Sequence, residues 1–322
     1  LLGKWATLFS IKIIMMMKKL FSVFCLLAVI NVSFAQPDAA AKYAGHITAD
    51  NLRKHLDIIA SAEMEGRETG TEGQRKAAAY IEAQFKSIGL QQVEALKSYQ
   101  QFYPLYQDSL ISAELKVAGK DAVFGTDYIA PLNGNESGKF KSKQIIVAGY
   151  GIDDEKYSDY TGLDVKGKTV IIFLGEPKKD GKYFLSGSNR FSEWTFPGIS
   201  KKLAAAAAKG AAGVLIINPR QESFNERAVE SGKKTGVYYP RENANVKSLP
   251  YVLLSHAFAK NIIGENFDKL LSLVKTNSPI DTQLAIDKKI KIEFDLDKNR
   301  SVINASNVVG IIEGTDKKDE YV

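Results

Sequence analysis

The sequence has 322 residues, 45% hydrophobic and 25% charged, ordinary globular proportions with length for one large domain or two modest ones. Its formal charge of +6 is a poor guide to partners, because Lys4, Lys12, Lys18 and Lys19 lie in residues 1–35, which hold no acid, and leave +2 for the rest. A near-neutral body with scattered charges carries no electrostatic footprint for nucleic acid, which is excluded as a partner.

Residues 1–35 read as leader rather than fold. Lys18-Lys19 is a short positive region, residues 20–32 are apolar except for Ser22, Cys25 and Asn31, and Ser33-Phe34-Ala35 offers small residues to a signal peptidase. This is the pattern of a secretory signal peptide cleaved after Ala35, and the run is shorter than the ~20 apolar residues of a membrane span. Residues 1–14, ahead of Met15-Met16-Met17, read as translated leader that the start codon excludes. The only cysteine, Cys25, lies inside the signal behind the bulky Phe24, which disfavours lipid attachment. The exported chain, periplasmic or extracellular, is expected to have no thiol, hence no disulfide, cysteine nucleophile or zinc–thiolate site. No membrane contact is expected after cleavage.

Past an Ala-rich lead-in at 36–45, Thr48 is placed to cap a helix with Leu52, Leu56 and Ile59 on one face. Residues 63–70 form a polar loop. Thr71 and Gln74 then make a capping box, and the helix it opens carries Ala78, Ile81, Phe85 and Ile88 on one stripe before Gly89 stops it in a left-handed conformation. Residues 101–106 and 111–117 are aromatic and β-branched enough for two strands. Gly134, Asn135, Ser137 and Gly138 mark a loop.

A second unit begins near Gln144. Buried strands are predicted at 144–148, 168–174 and 213–217, with an Ala-rich helix at 203–209 ended by Gly210, which makes a strand–helix–strand unit with a parallel pair. A strand at 251–254 follows, then a helical stretch capped by Ser255 and running past Leu270, Leu271 and Val274. Residues 289–296 alternate as a strand, 308–312 read as a buried one, and Tyr321-Val322 as the start of another. A half-made strand leaves backbone groups without partners, so the chain is expected to be cut short there.

The search for chemistry finds no convincing site. His46 and His55 do not share a helix face, His256 follows a helix cap, and none sits in a His-Glu-x-x-His pattern; each reads first as a surface or helix-end histidine. No Gly-x-Ser-x-Gly elbow exists, and Ser186-Gly187-Ser188 reads as a turn. Gly149-Tyr150-Gly151 is half a dinucleotide fingerprint, with Asp154 where a third glycine belongs. Asp153-Asp154 and Asp295 with Asp297 read as solvated turns and strand faces.

The loop-and-helix segment nonetheless resembles a known family. Met64-Glu65-Gly66-Arg67-Glu68-Thr69-Gly70-Thr71-Glu72-Gly73, then Ala78-Ala79-Tyr80-Ile81 and Phe85-Lys86-Ser87-Ile88-Gly89-Leu90, resemble the opening of metallopeptidase family 28, zinc exopeptidases of the bacterial leucyl aminopeptidase and aminopeptidase Y type. Asn307-Val308-Val309-Gly310-Ile311-Ile312-Glu313-Gly314 looks like the strand those enzymes place before their first zinc-binding strand. Between them, Gly167-Lys168-Thr169-Val170-Ile171-Ile172 and Ala206-Ala207-Ala208-Lys209-Gly210-Ala211-Ala212-Gly213-Val214 resemble the protease-associated domain that several members carry as an insertion.

The resemblance implies an α/β chain, an incomplete zinc-exopeptidase domain of mixed sheet and flanking helices with an inserted protease-associated α/β domain. The implied layout is leader and signal at 1–35, first part of the peptidase domain at 36–126, insertion at 127–285 and a truncated return at 286–322. It further implies peptide substrates and two zinc ions in the full-length enzyme. The family's first ligand motif, His-x-Asp, falls beyond Val322. No catalytic, cofactor-binding or metal residue is therefore assigned, and this fragment alone is expected to hold no zinc and to be inactive. Arg67, with its neighbouring glycines, matches a family motif and is expected to close a loop against the catalytic domain. A non-catalytic binding module or receptor-like relative is the alternative. A hydrolase of another class built on His46, His55 or His256 is a third.

Overall fold

A computed structural model describes residues 42–239, 249–280 and 287–315, together with Glu320. The signal peptide expected at 1–35 and the strand expected at Tyr321-Val322 lie outside the described residues. The chain is mixed α/β and divides between Ala77 and Ala78 into two compact units.

The first unit is helical. Helix α1 (Ala49–Ile59) starts where Thr48 Oγ1 accepts the N–H of Asn51 at 3.2 Å, as its capping residue type predicts. None of its residues is buried, Leu52 and Leu56 included. A 3₁₀ helix (Ala62–Arg67) takes the place of the expected polar loop and buries Met64. The Arg67 guanidinium donates to the Ile59 carbonyl and ties this turn to the end of α1. Helix α2 (Glu72–Ser87) begins with Thr71 Oγ1 accepting the N–H of Gln74 at 3.4 Å. Gly73 must be glycine, since a Cβ there would run into the Met64 carbonyl.

The second unit opens with the end of α2, where Gly89 takes φ +79° and Leu90 N–H reaches back to Phe85 O at 3.0 Å. Because the helix has closed at Ser87, Ile88 is 69% exposed and falls off the predicted stripe. There follow β1 (Gln100–Val117), β2 (Lys120–Asp121), β3 (Tyr128–Ile129), β4 (Gly138–Ser142), β5 (Ile145–Val147), β6 (Asp153–Asp154), β7 (Tyr157–Ser158), β8 (Thr169–Phe173), β9 (Lys178–Lys179) and β10 (Lys182–Tyr183). Then come α3 (Ile199–Ala208), β11 (Gly213–Ile217), α4 (Glu226–Lys233), β12 (Tyr251–Leu254), α5 (His256–Ile263), α6 (Phe267–Lys275), β13 (Asp287–Lys288) and β14 (Ile292–Val308).

Two sheets organise this unit. The larger runs β13-β5-β8-β11-β12-β3, with its four central strands parallel and its two edge strands antiparallel. Helix α3 makes the crossover between the parallel neighbours β8 and β11, as the sequence predicts. Both strands are buried on both faces, so their side chains alternate between two cores. Ile171, Phe173, Leu215 and Ile217 enter one; Val170, Ile172, Val214 and Ile216 enter the other.

The second sheet, β2-β1-β14-β4, is built on a long antiparallel ribbon of β1 and β14. The two strands predicted over 101–117 are one, kinked by a register shift between Leu110 and Ser112. Leu115, Ile292, Phe294 and Leu296 bring the ribbon's inner end into the first core. At the outer end, Phe102 and Val302 are more than 60% exposed.

Two further expectations are corrected. The stretch after Ser255 is two helices, α5 and α6, parted at Gly264 with φ +85°. Residues 308–312 are not a buried strand: Val308 ends β14, Ile311 makes a single bridge to Gln91, and Ile312 is 82% exposed.

Candidate functional site

An open sheet with parallel central strands offers a crevice beyond their carboxyl ends. Here that region is formed by residues 148–151 after β5, 174–176 after β8, Asn218 after β11 and Ser255 after β12. It is filled by the chain's own side chains. Lys202 of α3, 1% exposed, donates its Nζ to Tyr150 O at 2.6 Å and Gly175 O at 2.8 Å, bridging the ends of β5 and β8. Asp159 accepts from the backbone N–H groups of Tyr150 (3.1 Å) and Ile152 (3.0 Å) through one oxygen and from Tyr157 Oη (2.7 Å) through the other. The Gly149-Tyr150-Gly151 turn, half a nucleotide fingerprint in sequence, wraps this carboxylate: a Cβ on Gly149 would strike Asp159 itself.

Burial governs the electrostatics of the pair. It pushes Lys202 down to about 7, against the opposing charges of Asp159 and Glu176. It pushes Asp159 up to about 6, against the Tyr157 hydroxyl, the Ile152 N–H, the Lys202 charge and the Tyr150 N–H. A neutral Lys202 amine still has two hydrogens for its two carbonyls, so the plug is satisfied without a full charge. At this end of the sheet the buried Lys202 and Asp159 serve the chain's own backbone groups.

Beside the plug, the chain after β8 leads into a segment pinned by hydrogen bonds. Glu176, fully buried, accepts from Ser192 N–H (2.5 Å), Ser192 Oγ (2.7 Å) and Thr195 Oγ1 (2.9 Å). Trp194 turns inward and donates its indole N–H to Asp154 at 3.2 Å. With these residues pinned, Phe191 and Phe196 are turned outward, 52% and 73% exposed. Their rings meet edge-on at 6.5 Å, and Phe191 meets Tyr183 of β10 at 6.4 Å. Lys178 Nζ lies 4.4 Å above the Tyr183 ring. The result is a cluster of three aromatic rings, the two phenylalanines exposed and Tyr183 half-buried, with Lys178 over the tyrosine.

A third feature fastens the ribbon. Asp108, 1% exposed, accepts from Lys298 Nζ (2.7 Å), Arg300 Nε (2.8 Å) and Tyr238 Oη (3.0 Å). Arg300 also reaches Glu136 at 2.9 Å. Burial alone would raise Asp108, but Arg300, Lys298 and Tyr238 together outweigh it and hold the carboxyl below its ordinary value.

The residues weighed in sequence take other places. His256 is buried, correcting the surface alternative: it opens α5, and its Nε2 lies 2.8 Å from Asn218 O. His46 and His55 are exposed in the first unit. Ser186 and Ser188 bond to one another and to the Arg190 carbonyl, as a turn does. Asp153 pairs with Lys209 and Asp295 with Lys139. Among the described residues no three His, Cys, Asp or Glu side chains converge to hold a metal. They do not fit a two-zinc centre, and no chemical step through zinc is assigned to them. No helix among the described residues is long and apolar enough to cross a membrane.

Sequence reasoning missed Lys202, Asp159, Glu176 and the aromatic cluster. Only Lys202 left a trace: it stands one position before Leu203 and four before Ala206, which places it on the buried stripe of α3.

Comparison with known proteins adds the following. The family model for the PA domain matches residues 130–262. Among curated proteins, none matches the chain. Of solved structures, an aminopeptidase from Aneurinibacillus sp. strain AM-1 is similar over 85% of this chain and 50% of its own, at 15% identity and a TM-score of 0.42. A zinc aminopeptidase from Bacillus subtilis is similar over 82% of this chain and 46% of its own, at 17% identity and a TM-score of 0.32. The chain thus spans half or less of the length of these structures.

Proposed function

We propose that this chain is the N-terminal portion of an exported zinc aminopeptidase that removes N-terminal residues from peptides, the metal site lying outside the residues described. The observation that carries the reading is one of order. The motif at 64–73, the PA domain match at 130–262 and the sequence motif at 307–314 follow one another as in metallopeptidase family 28, although the last of these is not the buried strand expected of it. The pairing of β1 with β14 supports it, since a segment inserted between two neighbouring antiparallel strands must leave and return through such a ribbon. In this reading the chain's own residues hold and present the PA-type domain, and its partners are peptides.

Reading the coding sequence about twenty codons past Val322, enough for one strand and the following turn, tests this. A frame that continues into a His-x-Asp motif, with zinc-dependent release of N-terminal residues by the extended protein, is the expected result. A stop codon directly after Val322 would overturn it. The second reading, a non-catalytic binding module, is favoured by the plugged crevice and the outward aromatic rings.

A further inference from the structure

Strand β14 is paired along both of its sides only at its inner end. Ala118 N–H donates to Lys291 O at 2.9 Å and Val309 N–H to Tyr99 O at 2.8 Å. In an antiparallel ladder successive residues turn their N–H and C=O groups to opposite sides, and the extra residue at the register shift lies on β1. Odd-numbered residues of β14 therefore bond to β1 along its whole length, and even-numbered ones face away from it. That second side is taken by β4 over Ile292–Leu296 and by Ser137 Oγ, which accepts the Lys298 N–H at 3.0 Å. From there to Val308, no strand or bridge among the described residues lies along it. The N–H and C=O groups of Arg300, Val302 and Asn304 point outward on an edge about 27 Å long between Arg300 and Val308, at ~3.4 Å per residue.

Sheet edges are kept harmless by shortness or by charge, and elsewhere this chain does both. The outer strands β2, β3 and β13 are two residues each, and β4 carries Lys139 and Lys141. Between Asn299 and Val308, β14 has no proline and one charged residue, Arg300, whose guanidinium is engaged by Asp108 and Glu136. Phe102 and Val302 lie on one face of the ribbon at this edge, 67% and 62% exposed.

An edge of this kind takes another strand, and that strand must bring a free edge of its own. A second copy brings an identical one. We infer that two copies of this chain pair antiparallel through β14, about a twofold axis at Ile303. Val302 of each copy then stands opposite Asn304 of the other, an even-numbered pair that exchanges N–H···O=C bonds in both directions. Arg300 faces Ser306, so no like charges meet, and the two Val302 side chains become diagonal neighbours. The ribbon is already ordered by β1, which keeps the entropic cost of pairing low. A contact that uses the same patch on both copies closes at two. None of this depends on the peptidase reading.

The test is sedimentation velocity on the full chain from micromolar concentration upward, with hydrogen-exchange mass spectrometry at both ends of the range. The mass should rise from one copy to two and no further, and amides over 300–306 should slow in exchange as it does. Val302→Lys with Asn304→Lys, and separately Val302→Glu with Asn304→Glu, set like charges opposite one another, and each pair should weaken association at least tenfold. Mixing the two variant chains should restore it, which misfolded variants could not do. Val302→Pro removes only an outward N–H, as an edge strand tolerates, and should also give a monomer with a thermal midpoint little changed. A chain that stays monomeric at every concentration, or association indifferent to the paired lysines, would overturn the inference. So would loss of association in Phe191→Ala with Phe196→Ala alone, which would place the contact at the aromatic rings. Slow exchange over 300–306 at every concentration would overturn it too, since the chain would then cover this edge itself, and growth beyond two copies would reject the twofold pairing.

Discussion

A lysine with 1% of its surface in water is the most consequential single residue of the second unit. Lys202 satisfies two carbonyls at the ends of neighbouring strands, and replacing it by Met leaves both without a donor. Each buried group so orphaned costs about 1–3 kcal/mol, so Lys202→Met is expected to lower the urea midpoint markedly at pH 8. The pH dependence is a sharper check. In the folded protein Lys202 titrates near 7, against about 10.4 in an unfolded chain. Between those values the unfolded state holds a proton that the folded state has released, so stability rises with pH through the window. Asp159, raised to about 6 from about 3.9, acts in the opposite sense: between those values the folded state holds the extra proton, and stability falls as pH rises. The two contributions leave a trough between about pH 6 and 7. Urea titrations at pH 5, 6.5 and 9 should show it, and Lys202→Met should abolish the recovery on the alkaline side. None of this was legible from the residue types. Lys201 and Lys202 are adjacent and chemically identical, and only the helical period separates an exposed partner for Glu193 from a buried plug.

At the scale of elements, the ribbon of β1 and β14 is fastened at its middle by Asp108. Lys298 beside it is as deeply buried, with 3% of its side chain exposed. Removing one partner of a buried pair strands the other, at a cost of about 3–5 kcal/mol. Asp108→Ala is therefore expected to destabilise the second unit by about that amount in chemical denaturation, and Asp108→Asn by less, since an amide oxygen can still accept. Because the carboxyl is held below its ordinary value, its contribution is present above about pH 4 and is lost as pH falls through the lowered value. The elements themselves were largely readable. Thr48, Thr71 and Ser255 all cap helices through their hydroxyls, and the three runs read as buried strands are β5, β8 and β11. The division of α5 from α6 follows a local break at Gly264, whereas the single long β1 and the exposure at 308–312 depend on what lies opposite a segment, and local pattern carries no information about that.

On the scale of the whole chain, stability is expected to be uneven. Amides of β8 and β11, at the centre of the sheet and buried on both faces, should exchange with solvent only on global unfolding. Those of α1, which has no buried residue, should exchange early. Hydrogen-exchange mass spectrometry would show this directly, and equal protection of α1 and β8 would contradict it. By itself the sequence determined what local chemistry can determine: helix caps, stop glycines, the doubly buried strands and the parallel crossover. Periodicity and capping act within a few residues, so one chain read in order suffices for them. Only the tertiary structure decided that Lys202 and Asp159 meet backbone groups at the strand ends, that Asp108 meets Arg300 across 192 positions of chain, and that Glu176 turns Phe191 and Phe196 outward. Those outcomes depend on burial and on long-range pairing, which raise or remove the cost of a charge according to neighbours that sequence order does not reveal.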